Sequence, residues 1–237
     1  MASPQTEAVT PRAAETGPDR PRLVMTGITK RFPGVDTPVL DGIDLTLYAG
    51  RTVSVKGQNG AGKTTLMRIV AGLIKPDAGT IALDGIGSEA QPGVYRPRIG
   101  LLSAGSTGLF ARLSVGHHLG YFARLALLSR DQRGRAVERA LDTFNLHEFA
   151  ARRADRLSMG QRQRVRAAVT FLHDPDVVLL DEPQTSLDAE GIAMLDRVVA
   201  DLLERGGAVL WCSPAGTQNE IDFNQAFVLE GGRLKPE

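Results

Sequence analysis

Residues 57–64 read GQNGAGKT, and the reading of this stretch decides how the rest of the chain is organised. Gly57-Gln58-Asn59-Gly60-Ala61-Gly62-Lys63-Thr64 fits the pattern G-x-x-x-x-G-K-[ST]. Glycines let a loop wrap closely and aim successive backbone N–H groups at one phosphate. A helix that begins inside the pattern presents its N-terminus to the same anion. Lys63 then reaches the β- and γ-phosphates, the Thr64 hydroxyl holds Mg²⁺, and Thr65 follows in the same first turn. A chance match in a chain of 237 residues has a probability on the order of 1%. The flanks add context: TVSVK (52–56) is a short β-branched strand, and TLMRIVAGL from Thr65 has helical spacing. A glycine-rich turn with a surface lysine, the bland alternative, requires neither flank.

Working outward, Val177-Val178-Leu179-Leu180-Asp181-Glu182 is a strand with no alternation, as in a parallel sheet covered on both faces. A carboxylate at the end of an apolar strand is costly unless it meets a cation or donors. Asp181 beside the 57–64 loop can bind Mg²⁺ through water, and Glu182 is then placed to orient or deprotonate an attacking water. Residues 22–50 carry two strand-like runs, LVMTGIT and LDGIDLTLYAG, and GTIALDG follows a turn at Pro76, Asp77 and Gly79. From about 106 to 172 the chain is rich in Ala, Leu and Arg at helical spacing. GIAMLDRVVADLLERG is a helix closed by Gly206-Gly207, and GAVLWCS and QAFVLEGGRL finish with strands. Residues 1–21, rich in Pro, Ala, Thr and charge without periodicity, read as a disordered leader, with order starting near Arg22.

Composition narrows the classes. Apolar residues make up 42% and charged residues 23%, ordinary for a globular protein. The 28 basic and 27 acidic residues leave a formal charge of +1, with no bulk drive towards nucleic acid or an acidic membrane surface. A single cysteine, Cys212, fits a reducing compartment. No apolar run approaches the length of a membrane span, so membrane association is expected through a partner.

A phosphate loop plus an acidic strand end serves kinases, GTPases, motors and transporter ATPases alike. Leu157-Ser158-Met159-Gly160-Gln161-Arg162-Gln163-Arg164 separates them. It precedes the LLDEP strand and opens a helix, and Ser186-Leu187-Asp188 lies just downstream. In this order the motifs resemble the ATP-binding cassette (ABC) family over about residues 22–237. The resemblance implies a RecA-like parallel sheet with an antiparallel β lobe and a helical lobe at about 106–172. It implies that Ser158, Gly160 and Gln161 contact the γ-phosphate of ATP held by an opposing subunit, that Phe32 stacks on adenine, and that Ser186-Leu187-Asp188 crosses the dimer interface. Residues 99–128, with a Gly-Leu-Phe-x-Arg-Leu run ahead of a Tyr-Phe pair, look like the coupling region of the ABC-2 (sodium and drug export) subgroup. The haem-export and polysaccharide-export cassettes are close rivals. No N-K-x-D base-reading element argues for a GTPase.

Two departures stand out. The strand VLWCSP places Pro214 where most of the family has a γ-phosphate-contacting histidine, and proline offers neither a side-chain donor nor a backbone N–H. His117, His118, His147 and His173 all lie upstream. After Ile99-Gly100-Leu101-Leu102, where the family usually supplies a glutamine contact to magnesium and water, the chain reads Ser103-Ala104-Gly105-Ser106. Ser103 or Ser106 could hold a substituting water. The adjacent His117 and His118 do not share a helix face, so they read as a solvated or partly packed pair and not as a metal pair. Cys212 has no basic sequence neighbour and is expected to be a buried, inert thiol, with Trp211 packed in the core.

The expectation is therefore an ATP- and Mg²⁺-binding subunit of an ABC exporter, peripheral on the cytoplasmic face of the membrane. It would pair as a homodimer or heterodimer with a second ABC subunit and drive a multi-span permease on a separate chain. Nucleotide binding should survive the departures, and hydrolysis should be slow. The alternative is a nucleotide-switched regulatory subunit with little or no turnover.

Overall fold

A computed structural model describes residues 20–105, 108–185, 187–217 and 222–237, with the side chain of residue 185 left aside. The N-terminal lobe is a four-stranded antiparallel sheet in the order β2-β1-β4-β5. It comprises β1 (Pro21–Lys30), β2 (Leu40–Tyr48), β4 (Ala78–Leu83) and β5 (Ile86–Gly87). Leu23, Met25, Ile28, Ile43, Leu45 and Leu47 are buried between exposed neighbours, the alternation of a sheet with one covered face. Arg20 and Pro21, assigned above to the leader, belong to the fold. Ala49 N–H donates to Arg20 O (3.0 Å), and the Arg20 guanidinium pairs with Asp84 (2.9 Å). Residues 1–19 lie outside the described residues.

The second sheet has six strands in the order β10-β9-β3-β8-β7-β6. These are β3 (Thr52–Gly57), β6 (Ile99–Leu102), β7 (Val177–Asp181), β8 (Ala208–Pro214), β9 (Gln225–Glu230) and β10 (Arg233–Pro236). All neighbours are parallel except the β9–β10 edge pair. Their unbroken apolar runs are explained by two cores. Val177, Leu179, Ala208, Leu210 and Cys212 face α1 (Lys63–Val70) and the antiparallel lobe. Val178, Leu180, Val209 and Trp211, the alternate residues, face α5 (Met159–Phe171) and α6 (Ala189–Glu204).

A four-residue helix, α2 (Pro92–Tyr95), leads into β6, and its Tyr95 hydroxyl donates to Val70 O at 2.6 Å. The helical lobe follows, with α3 (Val115–Leu125), α4 (Arg130–Thr143) and α5. Ser114, Ser129 and Ser158 cap these three helices, the last two through reciprocal capping boxes with Gln132 and Gln161. The His117–His118 expectation needs correction. His117 is exposed, but His118 is fully buried, accepting from Phe110 N–H through Nε2 (2.7 Å) while Nδ1 lies 3.0 Å from Ser114 O. The two residues fall on different faces, so one is solvated and the other is a core group.

Candidate functional site

β3 carries the chain from the sheet interior to Gly57, where the loop 57–64 begins. Its glycines meet real steric limits. Gly62 sits at φ +106°, and a Cβ there would come within 2.9 Å of Val39 O; a Cβ on Gly57 would lie 2.8 Å from Leu229 O. A turn closed by Ala61 N–H to Gln58 O (3.1 Å) brings the chain into α1. Gly62 occupies the N-cap and no side chain caps the helix. The first-turn amides of Lys63, Thr64 and Thr65 therefore point with the helix dipole towards whatever anion the loop encloses. Gln58, Asn59 and Gly60 are exposed at the loop's rim.

Lys63 is buried, and its ammonium donates to Gly57 O (2.7 Å) and Gln58 O (3.1 Å). It bridges the loop that would hold phosphate. Thr64 Oγ1 donates to Asp181 Oδ2 at 3.1 Å. The first turn of α1 and the end of β7, 117 residues apart, thus converge on one hydroxyl and one carboxylate. Asp181 is buried at the strand end, and Glu182 follows in the left-handed region (φ +52°) with its N–H donating to Cys212 O (3.0 Å). That turn swings Glu182 out of the strand direction. A hydroxyl, a buried carboxylate and a second carboxylate beside an amide cradle are the donor set that would hold a magnesium ion, which would supply positive charge against phosphate.

Phe32, two residues beyond the end of β1, is half-buried, and Lys30 Nζ lies 5.7 Å from its ring centroid. It is a surface ring and not a core residue. The segment after it returns over the loop, since Val39 N–H donates to Lys30 O (2.8 Å) and Val39 packs on Gly62. Ser158 and Gln161 form the N-terminal box of α5: Ser158 Oγ accepts from Gln161 N–H (3.2 Å), and Gln161 Oε1 accepts from Ser158 N–H (2.9 Å). The serine keeps its own proton to donate. Gly160 faces Asp188, whose carboxylate a Cβ would approach to 3.0 Å. Arg164 ties this helix to the start of α6 through Asp188 (2.7 Å) and Glu190 (2.8 Å), and that guanidinium holds the Asp188 carboxyl below its ordinary range. Ser186 and Ser106 lie outside the described residues.

Pro214 ends β8 opposite Gly57, and Ala215 N–H donates to Gly57 O (3.1 Å). The position read as a missing histidine is thus beside the phosphate loop. Cys212 is fully buried, and burial together with the neighbouring Asp181 pushes its thiol pKa far up, so it is inert. Trp211 packs edge-on against Phe223, with ring centroids 5.9 Å apart. Sequence reasoning gave no role to Gln163 and Arg166, which reach across to the loop after β6. The signal was present: Gln163, Arg166 and Thr170 fall on one stripe at helical spacing, and a polar stripe on the inner face of a helix needs partners.

The sequence matches the ABC transporter family over residues 40–185. It is 34% identical over 214 residues to the ABC transporter ATP-binding protein NatA of Bacillus subtilis, covering 90% of this chain and 87% of that protein. The probable multidrug ABC transporter ATP-binding protein YbhF of Escherichia coli is 35% identical over 80% of this chain, which spans only 32% of that longer protein. An Fe(3+) ions import ATP-binding protein, FbpC 2 of Rhodococcus jostii, is 36% identical over 90% of this chain and 60% of its own length. Among solved structures, an ATP binding subunit of an ABC transporter superposes with a TM-score of 0.81 at 25% identity, covering 90% of this chain and 88% of the other. With its phosphate loop, its acidic strand end and its capped LSMGQ helix in that common order, the chain belongs to the ABC transporter family, as one of its ATP-binding subunits.

Proposed function

We propose that this subunit serves an exporter, binding MgATP in the 57–64 cradle and closing on a second ABC subunit to drive a membrane permease on a separate chain. The observation that carries the binding site is the Thr64–Asp181 contact beneath the uncapped N-terminus of α1. Gly57 to Thr65 surround the phosphates, Lys63 neutralises them, Thr64 and Asp181 hold Mg²⁺, and Phe32 supports the base. Magnesium, when bound, spreads the charge of the β- and γ-phosphates. Ser158, Gly160 and Gln161 act on the nucleotide of the opposing subunit, and Glu182 takes the proton of the attacking water. The cassette runs over about 22–237, with its helical lobe at about 106–172.

Export is favoured by the Gly108-Leu109-Phe110 to Tyr121-Phe122 segment, which resembles the ABC-2 export subgroup, although the relatives at similar identity include importers. No helix among the described residues is long and apolar enough to cross a membrane, which fits a peripheral subunit on the cytoplasmic face. Pro214 beside Gly57 supports slow turnover and favours one second reading, a nucleotide-switched subunit that closes without hydrolysing. Sizing in MgATP tests closure: Glu182→Gln, which keeps the shape and removes the base, should form a dimer. A variant that stays monomeric in saturating ATP, both alone and with the permease, refutes the sandwich. ATP-driven efflux from cells carrying the permease tests direction, and uptake in its place refutes export.

A further inference from the structure

The loop after β6 is latched from outside by α5. Gln163 Nε2 donates to Gly105 O (3.0 Å). The Arg166 guanidinium donates to Gly105 O, to Ser103 O (2.6 Å) and to Gln163 Oε1 (2.6 Å). Gln163 and Arg166 are only 6% and 8% exposed. Burial lowers the arginine's pKa, and the acceptors just named are neutral oxygens. Taking a guanidinium out of water in this way is costly, and an apolar side chain of similar volume would serve the packing of α5 better. Its effect is to fix the orientation of one amide.

Gln163 also lines a small cavity together with the two carboxylates. This cavity, lined as well by Ser103, Gly105 and Leu187, is about 10 Å³ in volume, room for roughly one water. Because Gln163 Oε1 accepts from Arg166 and Nε2 donates to Gly105 O, the amide cannot flip without losing both bonds. It retains one N–H and one lone pair. Those are the two groups needed to hold a water whose other side faces a carboxylate.

We propose that Gln163 positions the attacking water for ATP hydrolysis, in place of the glutamine the loop at 103–105 does not carry, and that Arg166 is the residue that orients it. The inference rests on the hydrolytic reading above. The water oxygen bonds to the γ-phosphorus, a water proton passes to the Glu182 carboxylate, and the bond between the γ-phosphorus and the β–γ bridging oxygen breaks. ADP leaves with the electron pair, and the products are ADP and inorganic phosphate.

The test uses the full chain with Gln163→Ala and Gln163→Leu, the second keeping the volume if the first fails to fold. Both should lower kcat by about 10- to 100-fold while KM for ATP and Kd for ADP move less than about twofold. Binding of ADP with orthovanadate, which mimics the transferring phosphoryl group, should weaken by the same factor as kcat. Arg166→Met should give a smaller fall in kcat of the same kind. Wild-type kcat in a folded Gln163 variant overturns the proposal, as do equal losses of vanadate-complex and ADP affinity, or a wild-type protein without Glu182-dependent turnover. ATP affinity that is insensitive to Lys63 would instead refute the nucleotide cradle itself, so the two failures are distinguishable.

Discussion

Replacing Lys63 with methionine isolates the charge that the cradle offers to phosphate. The side chain is 6% exposed, and methionine keeps the stem's volume, so neighbouring packing is preserved. In the free protein the ammonium donates to Gly57 O at 2.7 Å and Gln58 O at 3.1 Å. On binding ATP it exchanges these neutral acceptors for phosphate oxygens. A hydrogen bond to a charged group contributes about 1.5–3 kcal/mol. Because carbonyl contacts are given up in the exchange, the lower half of that range applies, about 1.5–2 kcal/mol. At 1.4 kcal/mol per factor of ten this is a loss of about 10- to 30-fold in ATP affinity. Fold stability should change little: two carbonyls lose a donor, and the cost of burying an ammonium is relieved. Calorimetric titration of MgATP at fixed salt, with a thermal melt of each protein, is the assay. ATP affinity within twofold of wild type, in a variant that melts normally, would refute the phosphate role of Lys63.

Pro214→His should raise kcat at least about tenfold with ATP affinity unchanged, since a missing charge-stabilising donor costs roughly 3–4 kcal/mol in comparable sites; unaltered turnover would show that the position beside Gly57 is not where a donor is lacking. His118 and His173 both have pKa values lowered by burial. The unfolded chain therefore binds protons first, and stability should be full above about pH 6.5 and decline as pH falls through that value. Urea midpoints from pH 7.5 to 5.5 check this, and a flat profile counts against the buried neutral imidazoles. Trp211→Ala should cost about 3–5 kcal/mol, because the indole is 2% exposed between β8 and the helices; a loss under 1 kcal/mol by urea denaturation would contradict that packing.

The phosphate loop was legible because its demands are local. Gly57, Gly62, Lys63 and Thr64 act through backbone geometry and a helix start within eight consecutive residues. The LSMGQ helix was legible for the same reason, as a serine followed three residues later by a glutamine forms a capping box wherever the helix lies. His118 was misjudged because local spacing separates two helix faces without saying which one the fold covers. Arg20 and Pro21 were misjudged because the anchors of this end, Ala49 and Asp84, lie far along the chain, just past β2 and β4. Gln163 and Arg166 were passed over because their partners lie about 60 residues away and are backbone carbonyls, which leave no side-chain signal in the sequence.

By itself the sequence determined the chemistry: an amide cradle with its lysine, a strand ending in two carboxylates, the alternation that makes one sheet half-exposed and the unbroken runs that bury the other, and membership of a family through the order of its motifs. Only the tertiary structure decided which groups meet. The strand order β10-β9-β3-β8-β7-β6 sets Gly57 beside Pro214, while Thr64 meets Asp181 from the start of α1, and the packing of α5 over β6 brings Gln163 to the cavity that Asp181 and Glu182 line. The physical reason is one of range. Propensity, capping and hydrophobic period act between residues a few positions apart, whereas the burial of both faces of a parallel sheet is satisfied only when the whole chain has chosen its strand neighbours.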